Sequence, residues 1–371
     1  MHRFCAQPKS AAPSVRFPYG VRSFRDIRNE NMFYVDNTRF VAELEAAGKE
    51  LIFLRPPRFG KSLLMDMLSA YYDSNTEEPE FKKLFKGLDV YERGMAENTL
   101  ARSFFVLEFD FSIEIEGDVL KNFQNNVNKS IDEFRKKYKL DFVVGEDCYV
   151  NLTSVAEAVR EKGGKLYVLV DEYDRFANKL MIERRVAYDT VVAGESGKPA
   201  SSPSRTFFET LKKIGGKGGV QLRSLITGIT PIALADASGY NVAKSLTHEE
   251  EFGSLVGFAR NDLVRALEQI ADLTADDRER ALVQMQNYYN GYRFDGCREL
   301  LYNPTLSLFF LDRLANKGRV WLEKVDGLKD ADETLRELYD SNVAASTTFV
   351  EILRQSTHGE NQALCCCVFA C

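Results

Sequence analysis

Eight consecutive residues, Arg55-Pro56-Pro57-Arg58-Phe59-Gly60-Lys61-Ser62, are of the types that hold a polyphosphate. They fit the pattern GxxxxGK[ST], except that Arg55 stands where the first glycine belongs. Such a turn gathers successive backbone N–H groups around an anion, here from Phe59 through Leu63. A helix starting at the same place adds its unpaired first-turn N–H groups and the positive end of its dipole. Arg58, Phe59, Gly60, Lys61, Ser62 and Leu63 are therefore the candidate binding residues, with Lys61 reaching the β- and γ-phosphates and the Ser62 hydroxyl ligating Mg²⁺. Pro56 and Pro57 donate no N–H and instead restrict the first half of the loop. A basic turn that binds nothing is the plainer alternative.

A phosphate loop needs a second strand that ends in carboxylates. Leu166-Tyr167-Val168-Leu169-Val170-Asp171-Glu172 supplies one: five apolar residues suited to a buried parallel strand, then two acids at its C-terminal end. Asp171 is placed to hold Mg²⁺ through water, and Glu172 to orient and deprotonate an attacking water. An acidic helix cap after a strand is the competing explanation for the pair taken alone. Both segments in one chain point to an NTP-binding P-loop fold. The strand at 221–226 ends in Thr227-Gly228, which puts Thr227 between the two sites, near the γ-phosphate, as a candidate sensing residue; a plain strand-ending turn explains it equally well.

These groups must be positioned by alternating strands and helices, the signature of an α/β sheet. Strands are expected at 51–54, 104–109, 166–170 and 221–226. Helical spacing follows the loop through Leu64, Met67, Leu68 and Tyr71. A long amphipathic helix carries Leu120, Phe123, Val127, Ile131, Phe134 and Tyr138. Helices are also expected at 152–160 and 207–214, with a Gly/Pro/Ser-rich surface loop at 194–204. Past Ala259 the strand signals fade, and helices are expected at 261–273, at 275–289 and from Pro304, with a turn at Asn290-Gly291. The expected architecture is a three-layer P-loop NTPase sandwich with a mainly parallel central sheet, followed by a smaller, mostly helical domain. Its expected boundaries are a disordered leader at 1–17, a P-loop domain at 18–258, a helical domain at 259–355 and a disordered Cys-rich tail at 356–371.

Composition agrees with a folded globular chain: of 371 residues, 44% are hydrophobic and 28% charged. A net charge of −6 argues against bulk nucleic-acid binding. No apolar run approaches the roughly 18–20 residues that cross a bilayer. Cys5, Cys148 and Cys297 are scattered singly, as suits a reducing compartment, and the cytoplasm is the expected location. The cluster Cys365, Cys366, Cys367 and Cys371 lacks a paired knuckle at zinc spacing. Arg3, Lys9, Arg16 and Arg22, with no acid before Asp26, leave organellar targeting as an alternative location.

With these residues in place, the chain resembles the AAA-ATPase-like family, P-loop proteins with a catalytic glutamate. The loop of that family reads much like RPRRFGKT, so the arginine in the first position belongs to the pattern. FPYGVRSFRDIRNENMFYVDNT (17–38), LVDEYD (169–174), ITGITPIALADASGYN (226–241) and YYNGYRF with the following YNP (288–304) fit as well, and the resemblance runs over residues 18–314. It implies a P-loop ATPase core followed by a helical region, with ATP as ligand and Mg²⁺ as cofactor. Many members continue into a PD-(D/E)XK nuclease-like domain; no strand-borne constellation of that kind follows Leu314, so nuclease activity is not expected of this chain.

Two further motifs stay open. Phe33 or Tyr34 is placed to flank an adenine, or else to staple the cap of the following helix. Arg293 is placed to reach a γ-phosphate, or else belongs to an aromatic corner with its neighbours. The leading expectation is an ATPase working as a conformational switch, with a protein partner or a second copy. The alternatives are a nucleotide-binding regulatory module with negligible turnover, the ATPase part of a nucleic-acid-processing system, or a phosphotransferase, which the Asp-Glu pair disfavours.

Overall fold

The computed structural model describes residues 15–93, 100–184, 188, 202–230, 242–294 and 300–327. Most of the expected leader, the expected tail, residues 231–241 and most of the Gly/Pro/Ser-rich loop lie outside the described residues. Helices α1 (Phe24–Asn29) and α2 (Val41–Ala47) precede β1 (Glu50–Leu54). Next come α3 (Lys61–Tyr72), α4 (Glu78–Phe85), α5 (Asp89–Glu92), β2 (Phe105–Asp110), α6 (Val119–Lys137), α7 (Cys148–Glu161) and β3 (Lys165–Asp171). The sheet region ends with α8 (Arg175–Glu183), α9 (Pro203–Ile214), β4 (Gln221–Gly228) and β5 (Lys244–Ser245). Beyond it lie α10 (Arg260–Glu268), α11 (Ala275–Tyr289), β6 (Asn290–Tyr292), β7 (Leu301–Tyr302) and α12 (Pro304–Gly327).

The first five strands form one parallel sheet in the order β2-β3-β4-β1-β5. Parallel strands are buried on both faces, and alternate side chains go to opposite cores. Ile52 and Leu54 of β1, with Leu166, Val168 and Val170 of β3, pack against α6, α7 and α9. Leu51 and Phe53, with Tyr167 and Leu169, pack against α2, α3 and α4 on the other side. The α/β sandwich and its parallel sheet are as the alternation of elements implies. Register aligns the functional ends: Asp110 lies beside Asp171, Phe53 beside Thr227 and Leu54 beside Gly228.

A third core differs from expectation. Helices α10, α11 and α12 close on each other through residues such as Leu263, Met285, Phe310 and Leu322, and on Val15, Phe17, Phe33 and Val35 from the start of the chain. Val15 and Phe17 of the expected disordered leader are therefore packed, with Phe17 against Phe33 at 5.4 Å between ring centres. The expected Asn290-Gly291 turn falls instead within β6, which pairs antiparallel with β7. Burying Tyr292 against Phe59 outweighs the local turn preference there. The helix expected at 261–273 ends at Glu268, while α11 has the expected bounds.

The ends of β3 and β4 are clamped by the residues that follow Glu172. Tyr173 donates its N–H to the Thr227 carbonyl at 3.0 Å and its hydroxyl to the Thr230 carbonyl at 2.6 Å. Asp174, 1% exposed, accepts from the N–H and hydroxyl of Thr230, both at 2.7 Å, from Asn178 Nδ2 at 2.9 Å and from the Ile229 N–H at 3.2 Å. A buried carboxylate is tolerated only when its lone pairs are filled in this way. Gly228 makes room for the clamp, since a Cβ there would lie 2.5 Å from the Tyr173 ring and 2.6 Å from Asp174 Oδ1. Gly228→Ala should therefore destabilise the fold by about 1–3 kcal/mol, the usual cost of overpacking. Urea denaturation measures this, and an unchanged midpoint would mean the clamp is loose.

Candidate functional site

The loop between β1 and α3 is built from both sides. Arg55, 2% exposed, sends its guanidinium inward to the carbonyls of Leu54 (2.9 Å), Thr247 (3.0 Å) and Phe252 (3.2 Å), sandwiched between the rings of Phe53 and Phe294. The residue in the first-glycine position is thus a staple joining the loop to the segment after β5. Phe59 is fully buried against Tyr292 and Phe294, at ring-centre distances of 4.7 and 5.4 Å. Gly60 caps α3 with φ 94°, a left-handed backbone that favours glycine, and Arg58 adopts φ 64° despite its side chain. The carbonyl of Arg58 accepts from the Thr305 hydroxyl at 3.1 Å, which ties the loop to α12.

Lys61, the first residue of α3, is 6% exposed and donates from Nζ to the carbonyls of Arg55 (2.9 Å) and Pro56 (3.0 Å). Burial lowers its pKa below the ordinary lysine value, and the nearby Asp171, Glu172 and Asp174 oppose that shift. Ser62 donates its hydroxyl to Asp171 Oδ2 at 2.5 Å. Thr227, wholly buried at the end of β4, donates its hydroxyl to Asp171 Oδ1 at 2.5 Å. The structure thus joins Ser62, Asp171 and Thr227 in one hydrogen-bonded unit, with Lys61 beside it.

Glu172 follows with φ 54°, its N–H donated to Asp171 Oδ1 at 3.0 Å and its carboxylate paired with Arg175 at 2.9 Å. All these groups except Thr227, with Arg58, Phe59, Gly60 and Leu63, line a cavity of about 600 Å³ at the C-terminal ends of the strands. That volume suits a small molecule, for which sites of roughly 300–1,000 Å³ are usual. Asp110, Ser112 and Arg175 also line it. Its apolar lining includes Val21, Ile27, Leu64, Val256, Phe258 and Leu308.

Phe33 and Tyr34 line this cavity too, while serving the packing as well: Phe33 lies 6.4 Å from Phe258 and Tyr34 5.3 Å from Phe24. Arg293 is exposed between Tyr292 and Phe294, whose rings cover Phe59, so the aromatic-corner alternative describes its surroundings. Sequence reasoning passed over Asp110, Ser112, Asp174 and Arg175, and gave Arg55 no role beyond its place in the loop pattern. Of these, Asp174 left a signal as the last acid of DEYD and Arg175 as the cation three residues after Glu172.

Among the described residues no helix is long and apolar enough to cross a membrane. Comparison with known proteins agrees with the geometry. A family model described as "Predicted AAA-ATPase" matches residues 18–238, more than half of the chain. A protein of Azotobacter chroococcum mcd 1, described as an uncharacterized protein in the vnfD 5' region, is 26% identical over 304 residues, 80% of this chain and 52% of that protein. The chain thus spans about half the length of this curated relative. Among solved structures, Cdc6p from Pyrobaculum aerophilum aligns with 80% of this chain and 66% of its own, at a TM-score of 0.41 and 11% identity. The ADP form of Aeropyrum pernix ORC2 aligns with 90% and 71%, at a TM-score of 0.36 and 12% identity. These two likenesses are remote. The match over 18–238 takes in the phosphate loop, both carboxylates and the Thr227 strand end, and the chain belongs to the AAA-ATPase-like family.

Proposed function

We propose that the protein binds ATP with Mg²⁺ in this cavity and hydrolyses it. The observation that carries the reading is Asp171, which receives the hydroxyls of Ser62 and Thr227 beside Lys61 at the mouth of a parallel sheet. The donor set fits Mg²⁺: Ser62 and Asp171 offer hard oxygens, too few to hold the ion alone, and phosphate oxygens complete the shell. Because Ser62 gives its proton to Asp171, its lone pairs are free to face the ion. Bound there, Mg²⁺ supplies charge neutralisation on the β- and γ-phosphate oxygens.

This chain's residues do the rest. The N–H groups from Phe59 to Leu63 and the Lys61 ammonium receive the phosphates, and Arg58 stands at the rim. Glu172 orients a water and takes its proton, and Thr227 links that event to β4 through Asp171. The base and ribose occupy the part of the cavity that Phe33 and Tyr34 line.

A switch role is supported by the contacts that join the loop to the region after Phe258: Thr305 on the Arg58 carbonyl, and Phe59 under Tyr292 and Phe294. A change in the loop is felt directly in that region. The division at residue 258 belongs to this reading, with the helical part as the responding unit. A protein partner or a second copy is what such a response would act on. The cytoplasm is the location that suits the scattered thiols, of which Cys148 is free and buried.

Lys61→Ala should abolish ATP binding in a folded protein, read by calorimetry beside circular dichroism; unchanged affinity removes the loop from the reading. Glu172→Gln should keep ATP and Mg²⁺ bound while single-turnover hydrolysis falls by about 10²–10⁴, the usual worth of a positioned base. Asp171→Asn should weaken the Mg²⁺ dependence as well as the rate. A wild type that binds ATP but never hydrolyses it would leave a nucleotide-binding module instead.

A further inference from the structure

The backbone of Glu172 is fixed, but its carboxylate is not. Its N–H is pinned to Asp171 and its φ of 54° sets the direction in which the side chain leaves the strand. Several rotatable bonds still separate that backbone from the carboxylate, so a base held only at its root samples many orientations. The one partner the carboxylate has among the described hydrogen bonds and ion pairs is Arg175 Nη1, at 2.9 Å from Oε2.

Arg175 is itself held from a different strand. The same Nη1 donates to Ser112 Oγ at 3.0 Å. Ser112 is set in turn by its N–H donated to Asp110 Oδ1 at 2.8 Å, and Phe111 between them donates its N–H to the Asp171 carbonyl at 3.0 Å. A chain of contacts therefore runs from the end of β2, through Ser112 and Arg175, to Glu172. All four polar members line the cavity that holds Lys61 and Ser62.

We infer that Arg175 is a positioning residue for the reaction: it selects the orientation of the Glu172 carboxylate, using Ser112 at the end of β2 as its reference point. The inference rests on the reading of Glu172 as the base. Arg175 is 54% exposed in its side chain and Glu172 27%, so the pair is screened by solvent and biases the carboxylate by about fivefold at most. Its loss should therefore slow turnover several-fold and leave nucleotide affinity alone, far short of the effect of losing the carboxylate itself.

The test is a double-mutant cycle in the full chain, read as single-turnover ATP hydrolysis at saturating ATP and as ATP affinity. Arg175→Ala should lower the rate by about two- to fivefold with affinity unchanged, and Arg175→Lys should recover much of it. Ser112→Ala should fall between. Raising ionic strength should shrink the difference between Arg175→Ala and the wild type, as it does for any half-exposed pair. In a Glu172→Gln background, Arg175→Ala should add nothing, because the amide carries no charge to orient. A wild-type or faster rate in Arg175→Ala overturns the inference. So does an equal loss in the Glu172→Gln background, which would put Arg175 on the phosphate or the fold instead. If Glu172→Gln alone hydrolyses at the wild-type rate, or the wild type does not hydrolyse ATP, the base assignment falls and this inference with it. A slow Glu172→Gln beside an unimpaired Arg175→Ala overturns this inference only.

Discussion

The carboxylate of Asp171 is where three distant lengths of chain meet. It takes a hydroxyl from the start of α3, another from the end of β4, and the N–H of its own neighbour. These hydrogen bonds to one side chain fix the phosphate loop, β3 and β4 relative to one another. Strand register brings these groups to one level, and the sheet order places β4 between β3, which ends in Asp171, and β1, which leads into the loop of Lys61. Without that order Thr227 could not stand between the two. The site is thus a property of strand order as much as of residue type.

Around this centre the chain uses buried polar side chains to hold irregular backbone. Arg55 collects carbonyls below the phosphate loop, and Asp174 collects N–H and hydroxyl groups beyond β4. Loops cannot satisfy their own backbone groups as helices and sheets do, so a buried loop needs side chains of this kind. These contacts explain the arginine in place of the first glycine, since it holds the loop from below, where it crowds no phosphate. Asp174 does for β4 what Arg55 does for β1, with the opposite charge.

Much of this was legible in the sequence because it depends on local pattern. Strand-length apolar runs ending in Asp171 or Thr227 show both where the sheet is and which end carries the chemistry. The phosphate loop shows itself in Gly60, Lys61 and Ser62. What stayed hidden depends on contacts between residues far apart. Nothing local distinguishes Phe59 as an anchor for Tyr292, or Val15 and Phe17 as core residues of a helical unit whose first residues follow Phe258. Asn290-Gly291 misled because its local preference is a turn, whereas packing of Tyr292 draws it into a strand. Arg175 was legible as a charge three positions after Glu172, but its anchor on Ser112 depends on β2 and β3 lying side by side.

The third core has a consequence for how the chain is made. Phe33 and Phe258 touch, yet they lie more than two hundred residues apart, and Phe17 closes on helices that come still later. Closing so long a loop is slow and costs entropy before any contact rewards it. During synthesis the apolar residues of 15–35 leave the ribosome early and must wait for α10 to α12 before they are covered. The sheet can assemble meanwhile from β1 to β4, whose partners emerge in turn. The cavity, lined both by residues between 18 and 37 and by Pro304, Thr305 and Leu308, is therefore complete only once α12 has joined the early segment, and until then the apolar residues of that segment stand open to chaperones or to aggregation.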